Sequence, residues 1–382
     1  MDISKKLIER KKYLNFDPTN IRLIAEVIEL SIKSGDIKFA WDLSFDTMKN
    51  LEADENCLYW TVYSALACSE YQHVVTWLDS YIFGTEPKSW MFHNYCYAAM
   101  RLGQYREIIE LLESNREVIK ESPELLLSKA KSQHFLGSFE ESEDTLNSFL
   151  SSSPSHPEAL GQLGLLYVDL GRNSEAKECA QLALSIDKNQ LDSLLVLATV
   201  ELIDLNFSLA NSHVKQVLDK SPRLGRALTL KGQLQLNDNA PEKALISFKQ
   251  AIKTMPNHIG TWHGLAWSYM LLDQLQDSRQ CFFSALELDR NFAESHGGLA
   301  VLSAISGDLS GSKEYLARAL GIDKQSFSGL FCKAIILRKE GHEKKADDLI
   351  EIILNSSLPH YNQSIKSLLN TINDKRAGYI ND

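Results

Sequence analysis

A 34-residue interval organises this chain more tightly than any other feature. One pattern of small and large residues returns ten times across residues 21–360 without an insertion or deletion. A period of that length marks stacked supersecondary units, each too small to bury its apolar faces alone. Counting positions within a unit, position 8 is small through the second half of the chain: Gly164, Ala198, Gly232, Ala266, Ala300 and Ala334. Position 20 is small too, as Ala176, Ala210, Ala244, Ser278, Ser312 and Ala346. Position 27 reads Ala183, Val217, Ala251, Ala285, Ala319 and Ile353, and Pro154, Pro222 and Pro256 occupy position 32 of three units.

Close approach accounts for the pattern. Two antiparallel helices joined by a short turn pack tightly only where small residues sit at the crossing. Large apolar residues such as Leu160, Leu163 and Tyr167, or Trp262, Leu265 and Tyr269, then fill the spaces between neighbouring pairs. Proline closes a unit because it cannot continue a helix and biases the residue before it away from helical geometry. By composition alone residues 151–157 would be a linker. The repeat phase runs through them, so they are an inter-unit turn with room for a bend. Asn239 ahead of Pro241 predicts a helix start with a capping side chain and proline in the first turn.

These residues resemble the tetratricopeptide repeat, whose pattern is W-x2-L-G-x2-Y followed by A, F, A and P at fixed offsets. The best match is residues 157–190, through Leu160, Leu163, Gly164, Tyr167, Gly171, Ala176 and Ala183. Residues 259–292 follow with Trp262, Leu265, Ala266 and Tyr269. The unit from 123 fits through Ala130, Gly137, Ser142 and Pro154, whereas the three before it place Ile28, Val62 and Cys96 at position 8. The resemblance implies an all-α, right-handed α-solenoid of about ten stacked 34-residue helix-turn-helix units. Residues 1–20 would be an N-terminal helix or cap, 21–156 four divergent aromatic-rich units, and 157–358 six regular units. Residues 359–382 would hold a C-terminal capping helix and tail, with Ile365, Leu368, Leu369 and Ile372 on one face and Lys366, Asn370 and Asn373 on the other.

A net charge of −10 argues against a nucleic-acid or anionic-membrane surface. No apolar run approaches the ~20 residues that span a bilayer. Lys5, Lys6, Arg10, Lys11 and Lys12 crowd the N-terminus without an apolar core, unlike a secretion signal. A cytoplasmic address is therefore expected. The six cysteines form no C-x-x-C pair and are expected as free thiols, with Cys332, early in a first helix, within reach of solvent. There is no phosphate-binding loop, H-E-x-x-H, G-x-S-x-G or calcium-loop pattern, and the ten histidines are dispersed. Neither catalysis, nor a cofactor, nor a metal is expected.

In tetratricopeptide arrays the first helix of each pair lines the concave, partner-binding surface, with positions 5, 9 and 12 facing inward. Carried onto this chain, that stripe is Tyr59, Tyr63, His93, Tyr97, Leu165, Leu195, Thr199, Leu202, His263, Trp267, Met270, Val301, Phe331 and Ile335, with Trp90 beside it. From Leu165 to Ile335 it is mostly apolar, which predicts a covering partner, self-association, or a superhelix wound tightly enough to cover itself. Twelve aromatics lie within residues 57–105, far above the 9% chain average, and such side chains suit protein recognition. Among positions 5 and 9 the sole cation is Lys131, with no Asn, which argues against the carboxylate clamp of chaperone-tail receptors. The resulting expectation is a non-enzymatic scaffold or chaperone-like adaptor holding an apolar helix or extended segment of another protein. A self-associating structural subunit and an adaptor-type regulator stand as alternatives.

Overall fold

The structure, a computed structural model, describes residues 3–84 and 87–355. The described residues form 22 helices and no strand. The C-terminal capping helix expected within 359–382 lies outside them. Helix α1 (Ile3–Phe16) packs on α2 through Leu7 and Leu14, and Lys6 and Arg10 reach Glu26 at 2.7 and 2.9 Å. Ten helix pairs follow in register. The first helices are α2 (Ile21–Lys33), α4 (Glu55–Ala67), α6 (Ser89–Leu102), α9 (Leu125–Phe135), α11 (Pro157–Asp169), α13 (Leu191–Ile203), α15 (Gly225–Asn237), α17 (Ile259–Leu271), α19 (Ala293–Ile305) and α21 (Phe327–Lys339). The second helices are α3 (Ile37–Asn50), α5 (Tyr71–Ile82), α7 (Tyr105–Ser114), α10 (Phe139–Ser152), α12 (Asn173–Ile186), α14 (Phe207–Lys220), α16 (Pro241–Thr254), α18 (Leu275–Leu288), α20 (Leu309–Ile322) and α22 (Glu343–Asn355). Every second helix begins at position 17 of its unit. In the third unit the chain breaks at Asn115 and resumes as α8 (Arg116–Glu121); the Asn115 side chain donates to the Leu111 carbonyl at 2.8 Å.

The turn inside each pair has one solution throughout. Position 15 is left-handed in all ten units: glycine at 35, 103, 137, 171, 307 and 341, and Ser69, Leu205, Asn239 and Asp273 elsewhere. The next amide reaches back to close the helix, as from Gln104 to the Ala99 carbonyl (2.9 Å) and from Arg172 to that of Tyr167 (2.8 Å). This is the glycine-favouring helix stop. It also corrects the reading of Asn239. Pro241 does open α16, but Asn239 is the left-handed turn residue (φ 55°) and makes no capping bond.

Close approach at positions 8 and 20 takes a specific form. Where position 20 is serine, its hydroxyl donates to the position-8 carbonyl: Ser142 to Ala130 and Ser278 to Ala266 at 2.8 Å, Ser312 to Ala300 at 2.9 Å. Neighbouring pairs lock through position 24. Phe248 is fully buried, and a Cβ on Gly232 or Gly264 would come within 2.7 and 2.4 Å of its ring. Phe282 meets Gly298 in the same way, at 2.3 Å. A large ring at position 24 thus requires glycine at position 6 of the next unit. Cys332, expected near solvent, is fully buried with its sulfur 3.1 Å from the Ser312 hydroxyl. All six cysteines are free thiols.

The described chain divides into two compact bodies, one ending at Gln162 and the other beginning at Leu163. In the first, Ile24, Ile28, Leu58, Leu78, Phe92 and Ile108 centre one apolar cluster. In the second, successive clusters centre on Leu194 to Leu234, on Phe248 and Phe282, and on Val301 and Ile336.

Candidate partner-binding surface

The first-helix stripe differs sharply between the two bodies. In the N-terminal body Tyr59 and Tyr63, one turn apart on α4, are 37% and 48% exposed, and Tyr97 on α6 is 50% exposed. The Tyr59 and Tyr63 rings stack at 6.4 Å (19°), while Trp90 meets Tyr59 edge-on at 5.2 Å. Trp60 stands behind both tyrosines at 5.3 and 6.1 Å, with the Lys33 ammonium 5.5 Å from its ring centre. The Trp90 indole N–H points to Glu55 Oε1 at 3.5 Å. Tyr97 leans on Tyr71 at 6.2 Å, and the Arg101 guanidinium lies 5.5 Å from the Tyr71 ring. His93 is half-buried, pairs through Nε2 with the Ser122 hydroxyl at 2.7 Å, and its pKa is lowered by burial. Exposed aromatic rings of fixed orientation, with phenol hydroxyls at their tips, bury large area at small entropic cost.

In the C-terminal body much of the stripe is spent on the array itself. Leu195 is 2% exposed and Val301 fully buried; both are core residues, which corrects their assignment to an open surface. The cause is a recurring contact from position 5 of one first helix to position 3 of the next. Thr229 and Thr261 hydroxyls meet at 2.9 Å, and His263 Nε2 meets the Ser295 hydroxyl at 2.7 Å. At Gly297 the approach reaches backbone: a Cβ there would lie 2.7 Å from the Gly329 nitrogen. Leu165 and Leu202 pack half-buried against the Leu195 cluster, and Thr199 donates to the Leu195 carbonyl at 2.8 Å. Trp267 and Met270 bridge two clusters, with Trp267 edge-on to Phe282 at 6.1 Å. His263 is wedged edge-on against Phe282 and Phe292, both at 5.3 Å, and burial pushes its pKa down to about 4, so it is neutral near pH 7. Phe331 (37% exposed), stacked on Phe327 at 6.4 Å, and Ile335 remain partly open at the last described pair.

Two surfaces on the second helices were not anticipated. On α3 and α5, Trp41 packs with Phe45 (5.7 Å), His73 (5.2 Å) and Trp77 (5.7 Å). The signal for it was readable, since Trp41/Phe45 and His73/Trp77 are both i, i+4 pairs. Between α18 and α20 lies a depression of about 700 Å³ walled by Phe283, Leu286 and Ile322 and bordered by Arg290, Arg318 and His296. No periodic sequence signal marks it. Among the described residues no group of three or more His, Cys, Asp or Glu side chains could hold a metal. No described helix is long and apolar enough to cross a membrane.

Comparison with known proteins agrees with this geometry. A tetratricopeptide repeat family model matches residues 157–190. Superkiller protein 3 of Schizosaccharomyces pombe is 26% identical over 169 residues, 42% of this chain and 12% of that protein. Anaphase-promoting complex subunit 3 of the same yeast is 22% identical over 255 residues, 66% of this chain and 38% of that protein. The chain thus spans well under half the length of either relative. Among solved structures, the APC/C hetero-tetramer Cut9–Hcn1 superposes with a TM-score of 0.59 at 14% identity, covering 87% of this chain and 63% of that one, a likeness of fold. The family model matches one tetratricopeptide repeat of this chain, and the described residues form an all-α succession of ten helix pairs, a fold like that of the superposed structure.

Proposed function

We propose that the chain is a non-enzymatic protein-interaction scaffold, or chaperone-like adaptor, that holds an apolar helix or extended segment of a partner protein on its first-helix surface. The observation that carries this reading is the row of open tyrosines on α4 and α6. Tyr59, Tyr63 and Tyr97 are each more than a third exposed on regular helices whose opposite faces are packed core. Open aromatics on a rigid support make anchors, because little conformational entropy is lost when they are covered. The relatives support the class. One is named as a subunit of the anaphase-promoting complex, and the superposed structure is a hetero-tetramer of that assembly. The residues proposed to meet the partner are Tyr59, Tyr63, Trp90 and Tyr97, with Trp267, Met270, Phe331 and Ile335 as the partly open remainder. The net charge of −10 fits a protein partner better than nucleic acid, and we place the chain in the cytoplasm.

The test compares affinity capture by wild-type chain and by a Tyr63→Asp/Tyr97→Asp variant whose circular dichroism and melting match wild type. A protein retained by wild type alone supports the reading. The same protein recovered equally by both would remove the tyrosine surface from the account.

A further inference from the structure

Position 4 of the first helix is apolar in five of the six regular units: Leu160, Leu194, Leu228, Trp262 and Leu330. In the remaining unit it is His296. The units share one fold, so each serves as a control for the others. At α17 the Trp262 indole N–H donates to the position-32 carbonyl of the preceding unit, that of Pro256, at 2.7 Å. His296 makes the same reach with a smaller ring, its Nε2 donating to the Arg290 carbonyl at 2.9 Å. A carbonyl only accepts, so Nε2 carries a proton, and in the neutral ring Nδ1 is left as an acceptor. His296 is 7% exposed, and among the described residues Nδ1 has no hydrogen-bond partner. The stack does not need that nitrogen, because leucine at the same position supplies only carbon. A buried polar atom without a partner costs stability, which points to a donor from outside the chain.

His296 walls the depression of about 700 Å³ between α18 and α20, a volume within the range of ligand sites. Its apolar wall is Phe283, Leu286 and Ile322, and Phe283 and Ile322 are each more than a third exposed. A depression this open does not enclose a small molecule; it takes one side of a chain laid along it. Two cations border it. Arg290 makes no ion pair among the described residues. Arg318 is held by Glu314, one turn away at 2.7 Å, with both side chains more than half exposed. An exposed pair of that kind contributes little and gives way to a better-placed carboxylate. Asp289 is taken by the Asn291 backbone N–H at 2.8 Å, which leaves Glu287 as the one carboxylate in the lining. Two guanidinium groups against one carboxylate make this lining positive, on a chain whose net charge is −10. An acidic occupant complements it, and an extended one keeps backbone N–H groups free, whereas a helix spends them on itself.

We propose that the depression between α18 and α20 docks an extended segment of a partner protein in which an Asp or Glu stands beside an apolar residue. The carboxylate pairs with Arg290 and Arg318, the apolar side chain covers Phe283, Leu286 and Ile322, and a backbone N–H is the donor that His296 Nδ1 lacks. The surface belongs to second helices, so it is separate from the tyrosines of α4 and α6 and does not depend on their binding a partner.

The probe is the peptide acetyl-Leu-Asp-Leu-Asp-Leu-amide, blocked at both ends so that side-chain carboxylates are its only charges. Titrated into the full chain and followed by methyl NMR, it should shift Leu286 and Ile322 and bind with a Kd of about 1 mM or tighter. The isosteric acetyl-Leu-Asn-Leu-Asn-Leu-amide should bind at least ~10-fold more weakly. So should the Asp peptide to Arg290→Gln/Arg318→Gln, whose substituted side chains are exposed, so the fold stays intact. His296→Leu installs the residue of four sister units and should fold as wild type while weakening the Asp peptide roughly 3- to 10-fold. Three results overturn the proposal: no shift of Leu286 and Ile322, equal binding of the Asp and Asn peptides, or binding indifferent to Arg290→Gln/Arg318→Gln. The last, joined with loss of binding in Tyr63→Asp, would move the peptide to the tyrosine surface. Unchanged binding by His296→Leu would overturn the part given to Nδ1.

Discussion

Exchanging glycine for alanine at two helix sites should move stability in opposite directions, because one site is filled and the other empty. At Gly264 a new methyl would sit 2.4 Å from the buried Phe248 ring, which Gly232 confines from the other side at 2.7 Å. At Gly321, near the end of α20, nothing lies within 4 Å. Alanine in a helix is favoured over glycine by up to about 1 kcal/mol, through lower chain entropy in the unfolded state and better propensity. Overpacking a filled core costs about 1–3 kcal/mol. Gly264→Ala should therefore destabilise by roughly 0.5–2 kcal/mol net, while Gly321→Ala should stabilise by a few tenths. Stacked arrays open by parts, so thermal melting is best read beside hydrogen exchange of α16 and α17. Adding Phe248→Leu to Gly264→Ala should recover part of the loss, since the clash disappears with the ring. If Gly264→Ala stabilises as Gly321→Ala does, the ring-and-notch account of how pairs lock is wrong.

Ser69 holds the left-handed turn position at φ 63°, where an L-residue pays about 1–2 kcal/mol, so Ser69→Gly should raise the melting temperature. Gly171→Ala, at φ 75°, should lower it by the same argument. Leu195→Asp buries a charge in the core and should destabilise by more than about 3 kcal/mol, whereas Tyr63→Asp should stay within about 0.5 kcal/mol; chemical denaturation separates the two. His263 has a folded pKa of about 4 against an ordinary 6.5, so the unfolded chain takes up the proton first as pH falls. Its contribution is full above pH 6.5 and declines down to about 4, and His263→Phe should flatten the melting profile across that window. An unchanged slope would remove His263 from the acid response.

Periodic features were legible in the sequence because periodicity is what repeated packing imposes. The small residues at positions 8 and 20 gave the helix-helix crossing, and the serine-to-carbonyl bonds of Ser142, Ser278 and Ser312 show how tight it is. The left-handed position 15 was harder to see, because Ser69, Leu205, Asn239 and Asp273 stand where glycine would have announced it. Asn239 was read as a cap for that reason: the same side chain serves caps and left-handed turns, and the sequence does not choose between them. Burial of the first-helix stripe was legible only as one alternative among three. Position tells which way a side chain faces within its pair, but not how near the next pair comes.

The side chain at position 5 takes part in that approach, and the two bodies differ at Tyr59 on one hand and at Thr229 and Gly297 on the other. Where position 5 is Gly297 or Thr229, the next first helix closes to direct contact with position 3, and its approach buries Ala300, Val301 and Ala304. Where position 5 is Tyr59, its ring must stand outside the crossing; it does so by turning against Trp60 and Trp90, and Tyr63 stays open beside it. Tyr59 thus adds exposed aromatic surface, whereas Leu195 and His263 at the same position are packed into the array. That exposure forgoes burial worth about 1 kcal/mol for each ring left half open, roughly half of what full burial of a large side chain contributes. An array stabilised by its own core does not require that sacrifice, and a scaffold whose partner covers the rings recovers it on binding.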